Sequence, residues 1–517
     1  MPAVYRPRFY AVLSFILVVS FSASAQRQSP LPRSTPEAEG VSSRELLRFV
    51  NAADKSDVEF HSLMILRNGK VIAEGWWSPY RAELKHTMYS VTKSWTSTAI
   101  GFAVSEKLIS VEDPVIKFFP DQLPDTVSDA LKELKIKHLL TMSVGHDPDP
   151  TFSIVSSADN WVKAFLARKI DNKPGTRFLY NTTATYMLSA IIQKVTGQRL
   201  VEYLKPRLFD PLDIRDLDSE IDPLGINTGG WGLRIQTEAM ARFGQLYLND
   251  GKWNGKQVLP KEWIATATSA QIMQAPTATQ AVRDSSDWLQ GYGYQFWRSR
   301  HNSFRADGAY GQFIIVVPEK NMVIVFTAET PDMQKEINLA WEYILPAIMD
   351  KPITEDPEGV ALLETKLKSL SLPIPGGKAF SNTMNPAGKQ ISLQPNDFNL
   401  EAIGFVKTAD HLEVSIMTPS DRFVIPFANG TWAFSETKKH GPYLVSGARA
   451  KFAGLPPFKV AGAYFWKDDN TLQLTLRYIE SPHTETFEIR FSEKTAEVNV
   501  THSHNPASPV QIKGSIF

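Results

Sequence analysis

Cysteine is absent from all 517 residues. That excludes disulfide frameworks, thiolate nucleophiles, lipid attachment through a cysteine and zinc–thiolate sites. Net charge is absent too: Lys+Arg and Asp+Glu each total 55, so no basic excess is available to hold nucleic acid or an anionic membrane. There is no internal repeat, no low-complexity tract and no phosphate-cradling glycine loop. No Gly-x-Ser-x-Gly elbow occurs, although His86 and His146 are present, which disfavours a Ser-His-Asp hydrolase. Close to the N-terminus, Tyr10 to Phe21 forms an apolar stretch of about a dozen residues, short for a membrane span. Arg6 and Arg8 precede it and Ala23-Ser24-Ala25 follows, the pattern of a signal peptide over residues 1–25 with Gln26 as the mature start. The expectation is a bacterial periplasmic or secreted protein with no stable membrane anchor after cleavage.

Hydrophobic residues at 43% and charged residues at 21% describe a globular chain, and its length suggests two domains. The first is expected over residues 34–350. An amphipathic helix near Ser43–Ala53 leads to Ser62–Arg67 and Lys70–Trp77, joined by Asn68-Gly69, a strong hairpin signal. Helices are expected over Leu131–Met142, Asn160–Lys169, Ala184–Thr196 and Thr237–Asn249. Strands return at Gly291–Trp297, Ser303–Asp307, Gln312–Pro318 and Met322–Ala328, followed by a helix over Met333–Met349. Strands, helices, then strands again predict an α+β domain whose antiparallel sheet is assembled from both ends and flanked by helices, with an all-helical subdomain. Residues 351–378, punctuated by Pro352, Pro357, Pro373 and Pro375, read as a linker around a short helix. From 379 to 517, short runs such as His411–Met417, Phe423–Pro426, Lys459–Trp466, Thr471–Tyr478 and Thr484–Phe491 predict an antiparallel β-sandwich or barrel.

The stretch that carries chemistry is Met88-Tyr89-Ser90-Val91-Thr92-Lys93-Ser94-Trp95. Ser90 and Lys93 are three residues apart, so on a helix they share a face. The following run, Trp95 to Val104, is nearly uncharged and small on every side, as in a buried helix. A hydroxyl beside a lysine dried by burial is a serine nucleophile with an amine as its base. Two fixed letters in four recur by chance about once or twice in such a chain. Ser435-Glu436-Thr437-Lys438, in a polar strand-rich region, reads as that chance match.

Two further places bear on Ser90. Phe178-Leu179-Tyr180-Asn181-Thr182-Thr183 precedes a helix; the residues alone favour capping and packing, and the functional alternative is a Tyr180 hydroxyl that relays protons with Lys93. Arg305-Ala306-Asp307-Gly308-Ala309-Tyr310-Gly311-Gln312 joins two strands, where glycine permits either a turn or close approach to a ligand. Trp231, Trp288 and Trp297 either line a pocket or pack in the core. His502-Ser503-His504 reads as polar surface rather than a metal site.

In order, these stretches resemble the serine β-lactamase and penicillin-binding-protein superfamily. The resemblance is to its class C-like branch of DD-peptidases, family VIII carboxylesterases and 6-aminohexanoate-dimer hydrolases. It covers roughly Ser34 to Met349 and includes Tyr186–Ile192, Gly232-Leu233-Arg234-Ile235 and Phe243–Leu248. It implies Ser90 as acylated nucleophile, Lys93 and Tyr180 as proton relay, and backbone N–H groups of Ser90 and Ala309 as oxyanion hole. Losing one such donor costs about 3–4 kcal/mol. Asn181, Gly308, Gln312 and Trp231 are the expected substrate contacts. Two departures stand out: position 182 is Thr where the family has Asn, and position 306 is Ala where it often has Lys or His.

The expected function is an exported serine hydrolase cleaving an ester or amide, with no cofactor and a small-molecule or peptide substrate. The alternatives are a penicillin- or cell-wall-peptide-binding sensor, a DD-peptidase-type protein with little turnover, or an inactive scaffold. The C-terminal region resembles lipocalin-like barrels appended to some family members, as a lid or docking module.

Overall fold

The computed structural model describes Met1 and residues 30–376 and 385–517. The expected signal peptide therefore lies, apart from Met1, outside the described residues, as does the end of the expected linker.

Asn68 and Gly69 both adopt positive φ, 52° and 77°, the geometry of the tight hairpin turn their sequence predicts. The turn joins strands Glu59–Arg67 and Lys70–Trp76. Glu59–Arg67 then pairs antiparallel with Met322–Glu329, Leu63 opposite Phe326 and Ile65 opposite Ile324. Chain ends more than 250 residues apart thus meet at the middle of one sheet. Gln312–Val317, Ser303–Gly308 and Trp297–Ser299 complete six antiparallel strands. Both faces are covered. Leu63, Ile65, Ile324 and Phe326 pack with Leu46, Phe49 and Ile337 on one side. Met64, Leu66, Val323 and Val325 pack with Met240 and Phe243 on the other. Burial on both faces explains why these strands read as apolar runs rather than alternating ones.

Next to the sheet lies the helix Thr92–Ser105, whose residues Thr92 through Ala103 are all buried. Its small polar residues hand their hydroxyls to neighbours: Ser94 to Gln295 O (2.7 Å), Thr96 to Gly229 O (2.7 Å), and Thr98 meets Tyr247 Oη (2.7 Å). Such pairing is what permits hydroxyls in a dry interior. The helices Thr182–Thr196 and Thr237–Leu248 flank it.

Three expected elements differ. Leu131–Met142 is two short helices, Asp129–Glu133 and Ile136–Leu140. The chain between them turns extended because Leu134 O accepts from Val115 N–H and Lys135 bridges to Pro114. Met333–Met349 is α-helical only to Leu339, then widens and tightens through Ala347; Pro346 has no N–H to continue the ladder. Of Gly291–Trp297 only Trp297 is in the strand, because Gln295 takes φ 65° and sends Nε2 to the carbonyls of Leu139 and Leu140.

The C-terminal region is a closed barrel. Nine strands form the ring, running from Gln390–Leu393 to Val510–Ile516. It closes where Ala428 and Asn429 pair in parallel with Ala463 and Tyr464, and Ala433–Thr437 attaches outside the ring to Phe458–Trp466. Alternate residues such as Ile403, Phe405, Leu474, Leu476, Phe487 and Val498 fill it, so it is a packed core. The Pro357–Lys368 helix of the expected linker docks through buried Leu363, and Arg44 pairs with Asp356 at 2.5 Å.

Gly244 sits where the Thr237–Leu248 helix crosses the sheet, and a Cβ there would lie 2.6 Å from Val323 Cγ1 and 2.8 Å from Ile314 Cγ2. Gly244→Val should destabilise the protein by about 1–3 kcal/mol through overpacking, read as a lower midpoint in urea unfolding.

Candidate active site

Tyr89, Ser90 and Val91 form one tight turn that runs directly into the Thr92–Ser105 helix. Ser90 is half-buried and Lys93, one turn on, is 1% exposed. Lys93 Nζ lies 3.0 Å from Ser90 Oγ, 3.2 Å from Thr182 Oγ1 and 2.7 Å from Gly230 O. A neutral amine has two N–H donors and one lone pair. Gly230 O can only accept, and Thr182 Oγ1 can accept as well, which leaves the lone pair for the Ser90 hydroxyl. None of these partners is a carboxylate. Burial therefore dominates and pulls the Lys93 amine down to about 7, with Asp149 and Asp307 opposing it from further away.

Tyr180 closes the other side. The Lys93 Nζ stands 4.9 Å from its ring centroid, and the ring stacks on Trp297 at 5.6 Å. Burial raises the phenol above its ordinary value, and the nearby Ser90 hydroxyl works against that rise. Ser90, Lys93 and Tyr180 are thus gathered in one place from two segments about ninety residues apart in sequence.

The strand Ser303–Gly308 ends against the same turn. A Cβ on Gly308 would come within 2.4 Å of Met88 O and 3.2 Å of Val91 Cγ2, so only glycine lets the strand end approach Ser90 this closely. Ala309, half-buried, follows in the turn closed by Gly311 N–H to Gly308 O. Arg305 points away, as strand alternation requires. Its guanidinium is buried, donates to Asp307 at 2.9 and 3.1 Å, and lies 4.3 Å over the Trp288 ring. Ala306 is 2% exposed and supplies no charge.

Three expected substrate contacts are corrected. Asn181 is 1% exposed; its Oδ1 caps the Thr182–Thr196 helix by accepting from Ala184 N–H, and its Nδ2 faces His146 Nδ1 at 3.0 Å. This is the capping role its position favours. Gln312 is fully buried, donating to Ala309 O and Ala328 O, so it braces the turn instead of facing a ligand. Trp231 is 2% exposed, packs on Trp161 and donates to Glu220 Oε2 at 2.8 Å.

Sequence reasoning missed Thr182, whose hydroxyl meets Lys93 where the family pattern has Asn, and the Gly230 carbonyl. The adjacent glycines 229 and 230 were the available signal: a Cβ on Gly230 would lie 2.6 Å from Thr182 Cγ2. Ser435 sits on the Ala433–Thr437 barrel strand and Lys438 is exposed, so the second Ser-x-x-Lys forms no comparable pair. His502 and His504 are half-buried and stack at 5.6 Å rather than lying on open surface. Among the described residues no cluster of metal-ligating side chains forms.

The β-lactamase family model matches residues 51–347. The chain belongs to the β-lactamase family. Its relatives include the 6-aminohexanoate-dimer hydrolase of Paenarthrobacter ureafaciens, 25% identical over 52% of this chain and 73% of that protein. A β-lactamase of Escherichia coli strain K12 is 23% identical over 49% of this chain and 78% of its own. A solved structure from Bacillus anthracis, assigned as a 6-aminohexanoate-dimer hydrolase, aligns with TM-score 0.50 and 23% identity. It spans 62% of this chain and 87% of that one, a likeness of fold. The protein is an enzyme of the serine hydrolase type, with a β-lactamase-like fold followed by a closed C-terminal barrel.

Because Asn181 caps a helix, Asn181→Ala should lower stability by about 1 kcal/mol, measured by denaturant unfolding. An unchanged midpoint would show that the cap carries no weight.

Proposed function

We propose that this β-lactamase-family protein is an exported hydrolase that cleaves an ester or amide through an acyl-enzyme on Ser90. The observation that carries the proposal is the Lys93 amine, 1% exposed, drawn down to about 7 by burial and 3.0 Å from Ser90 Oγ. At neutral pH a large fraction of this amine is unprotonated and able to take the hydroxyl proton as Ser90 attacks. Gly230 O and Thr182 Oγ1 orient the amine while it does so. The Tyr180 phenol, kept protonated by burial, is the group at hand to protonate the leaving atom. The backbone N–H groups of Ser90 and Ala309 receive the oxyanion, the term that usually dominates acyl transfer. Water then attacks the acyl-enzyme with the same groups reversing their roles. Export rests on the signal-like segment at residues 1–25; among the described residues no helix is long and apolar enough to cross a membrane.

A neutral substrate fits best. Ala306 offers no cation to a carboxylate, and the neighbouring Arg305 is turned away and held by Asp307. Half-buried Trp297, stacked on Tyr180, offers an apolar wall beside Ser90 instead. Carboxylated β-lactams and peptide C-termini are therefore the poorer fit.

A panel of p-nitrophenyl esters, linear and cyclic amides, D-alanyl peptides and a cephalosporin tests this. Wild type should turn over a short ester with an initial burst and continued steady state, and Ser90→Ala should lose that activity by about 10³-fold or more. Residual turnover at the wild-type rate in Ser90→Ala refutes the assignment; a single stoichiometric acylation with no steady state favours a sensor. Because Lys93 must be unprotonated, kcat/KM should rise with pH through a midpoint near 7 and fall away below it. A flat profile from pH 5 to 9 would contradict the amine as base.

A further inference from the structure

The barrel reaches into the hydrolase domain beside Ser90. The turn between barrel strands Thr471–Tyr478 and Thr484–Phe491 carries Glu480, Ser481 and His483. Glu480 O accepts from both the N–H and the hydroxyl of Thr87, each at 3.0 Å, three residues before Ser90. Ser481 O accepts from Tyr80 Oη at 2.9 Å. His483 itself has no exposed surface. Its Nε2 lies 2.5 Å from Tyr89 Oη, and its Nδ1 lies 2.6 Å from Oε1 of Glu329, a residue of the hydrolase sheet. Ser503, also from the barrel, donates to the same Glu329 oxygen at 2.7 Å.

Tyr89 Oη accepts from the Leu444 N–H at 3.3 Å and keeps its own hydrogen for His483 Nε2 in the tautomer whose Nδ1–H faces Glu329. Burial holds the imidazole well below its ordinary value, so the ring is neutral, with one nitrogen donating and the other accepting. The Tyr89 ring is further stacked on Tyr443 of the barrel at 5.3 Å.

Tyr89 and Tyr310 are each adjacent in sequence to one of the two residues whose N–H groups form the proposed oxyanion hole, Ser90 and Ala309. Both are non-glycine residues in the left-handed region, with φ of 44° and 66°, a conformation that needs support from its surroundings. Both rings rest on the same histidine: Tyr89 at 5.8 Å and Tyr310 edge-on at 5.0 Å. We infer that His483 is a positioning residue, through which the C-terminal barrel holds the Ser90 and Ala309 backbones in the geometry that receives the oxyanion. The barrel is then a structural part of the active site, not a lid over it. This rests on Ser90 acting as the nucleophile.

The experiment uses the full chain and two probes, a fluorophosphonate that labels reactive serines and p-nitrophenyl butyrate. The variants are His483→Ala, His483→Gln and Tyr89→Phe. Arg449→Ala, which breaks an ion pair between the barrel and Asp159 of the hydrolase domain, controls for general loosening of the interface. Removing an oxyanion donor outright costs about 10²–10³ in kcat, so displacing two should cost about tenfold or more. His483→Ala and Tyr89→Phe should each slow fluorophosphonate labelling and kcat by about tenfold, with KM within about twofold. His483→Gln, which restores a donor and an acceptor, should recover most of the loss, and Arg449→Ala should match wild type. If Tyr89→Phe, which keeps the ring and its stacking, labels at the wild-type rate, the inference is overturned whatever His483→Ala does. An equal loss in Arg449→Ala, or a fall expressed in KM alone, overturns it as well. Failure of the wild type to label at all, with Ser90→Ala indistinguishable from it, would instead sink the nucleophile assignment itself.

Discussion

The dryness around one amine is the constraint on which the site depends. Drawing Lys93 from its ordinary 10.5 down to about 7 withholds on the order of 5 kcal/mol of solvation and pairing from its charged form. Local sequence cannot do this alone. It takes a helix buried from Thr92 to Ala103, a two-sided sheet behind it, a tyrosine ring over the amine, and partners that accept hydrogen bonds without carrying charge. A carboxylate in place of the Thr182 hydroxyl or the Gly230 carbonyl would stabilise the protonated amine and remove the base. The nearest acids act from a distance, and Asp307 is held by Arg305.

The same logic runs through the junction between hydrolase domain and barrel, where buried polar groups meet in complementary sets. Glu220, pushed up to about 7 by burial, accepts from Trp231 of its own domain and from Tyr443 Oη and the Phe452 N–H of the barrel. Glu329 is likewise raised to about 7 by burial and is met by His483 and Ser503. Removing the barrel would strip partners from acids that are already desolvated, which costs more than the bonds themselves. The expected picture of an accessory lid or docking module understates this. The Pro357–Lys368 helix packs down through Leu363, and the barrel's turns enter the hydrolase domain.

Legibility differed by the range of the interaction. The Ser90–Lys93 pair, the Asn68-Gly69 turn and the capped helix after Asn181 could be read because each depends on neighbours within four residues. That Arg305 lies on the opposite face of its strand from Ala306 was readable from strand alternation. Expectations failed where a distant group intervened. Gln295 broke a predicted strand to reach carbonyls more than 150 residues away in sequence. Gln312 and Trp231, expected at the substrate, were drawn into bracing the turn and into the Glu220 cluster. Thr182 was seen only as a departure from a pattern, because the partner that gives its hydroxyl meaning is 89 residues away.

By itself the sequence determined the helical spacing of serine and lysine, the hairpins, the two textures of the chain and the lack of a cation at position 306, since all of these are local or compositional. The tertiary structure alone decided that the lysine is dry, that Thr182 and Gly230 hold it, and that a histidine from the barrel sits against the tyrosine next to Ser90. The physical reason is that desolvation is a property of everything surrounding a group. Those surroundings come from segments that the chain brings together only when it folds.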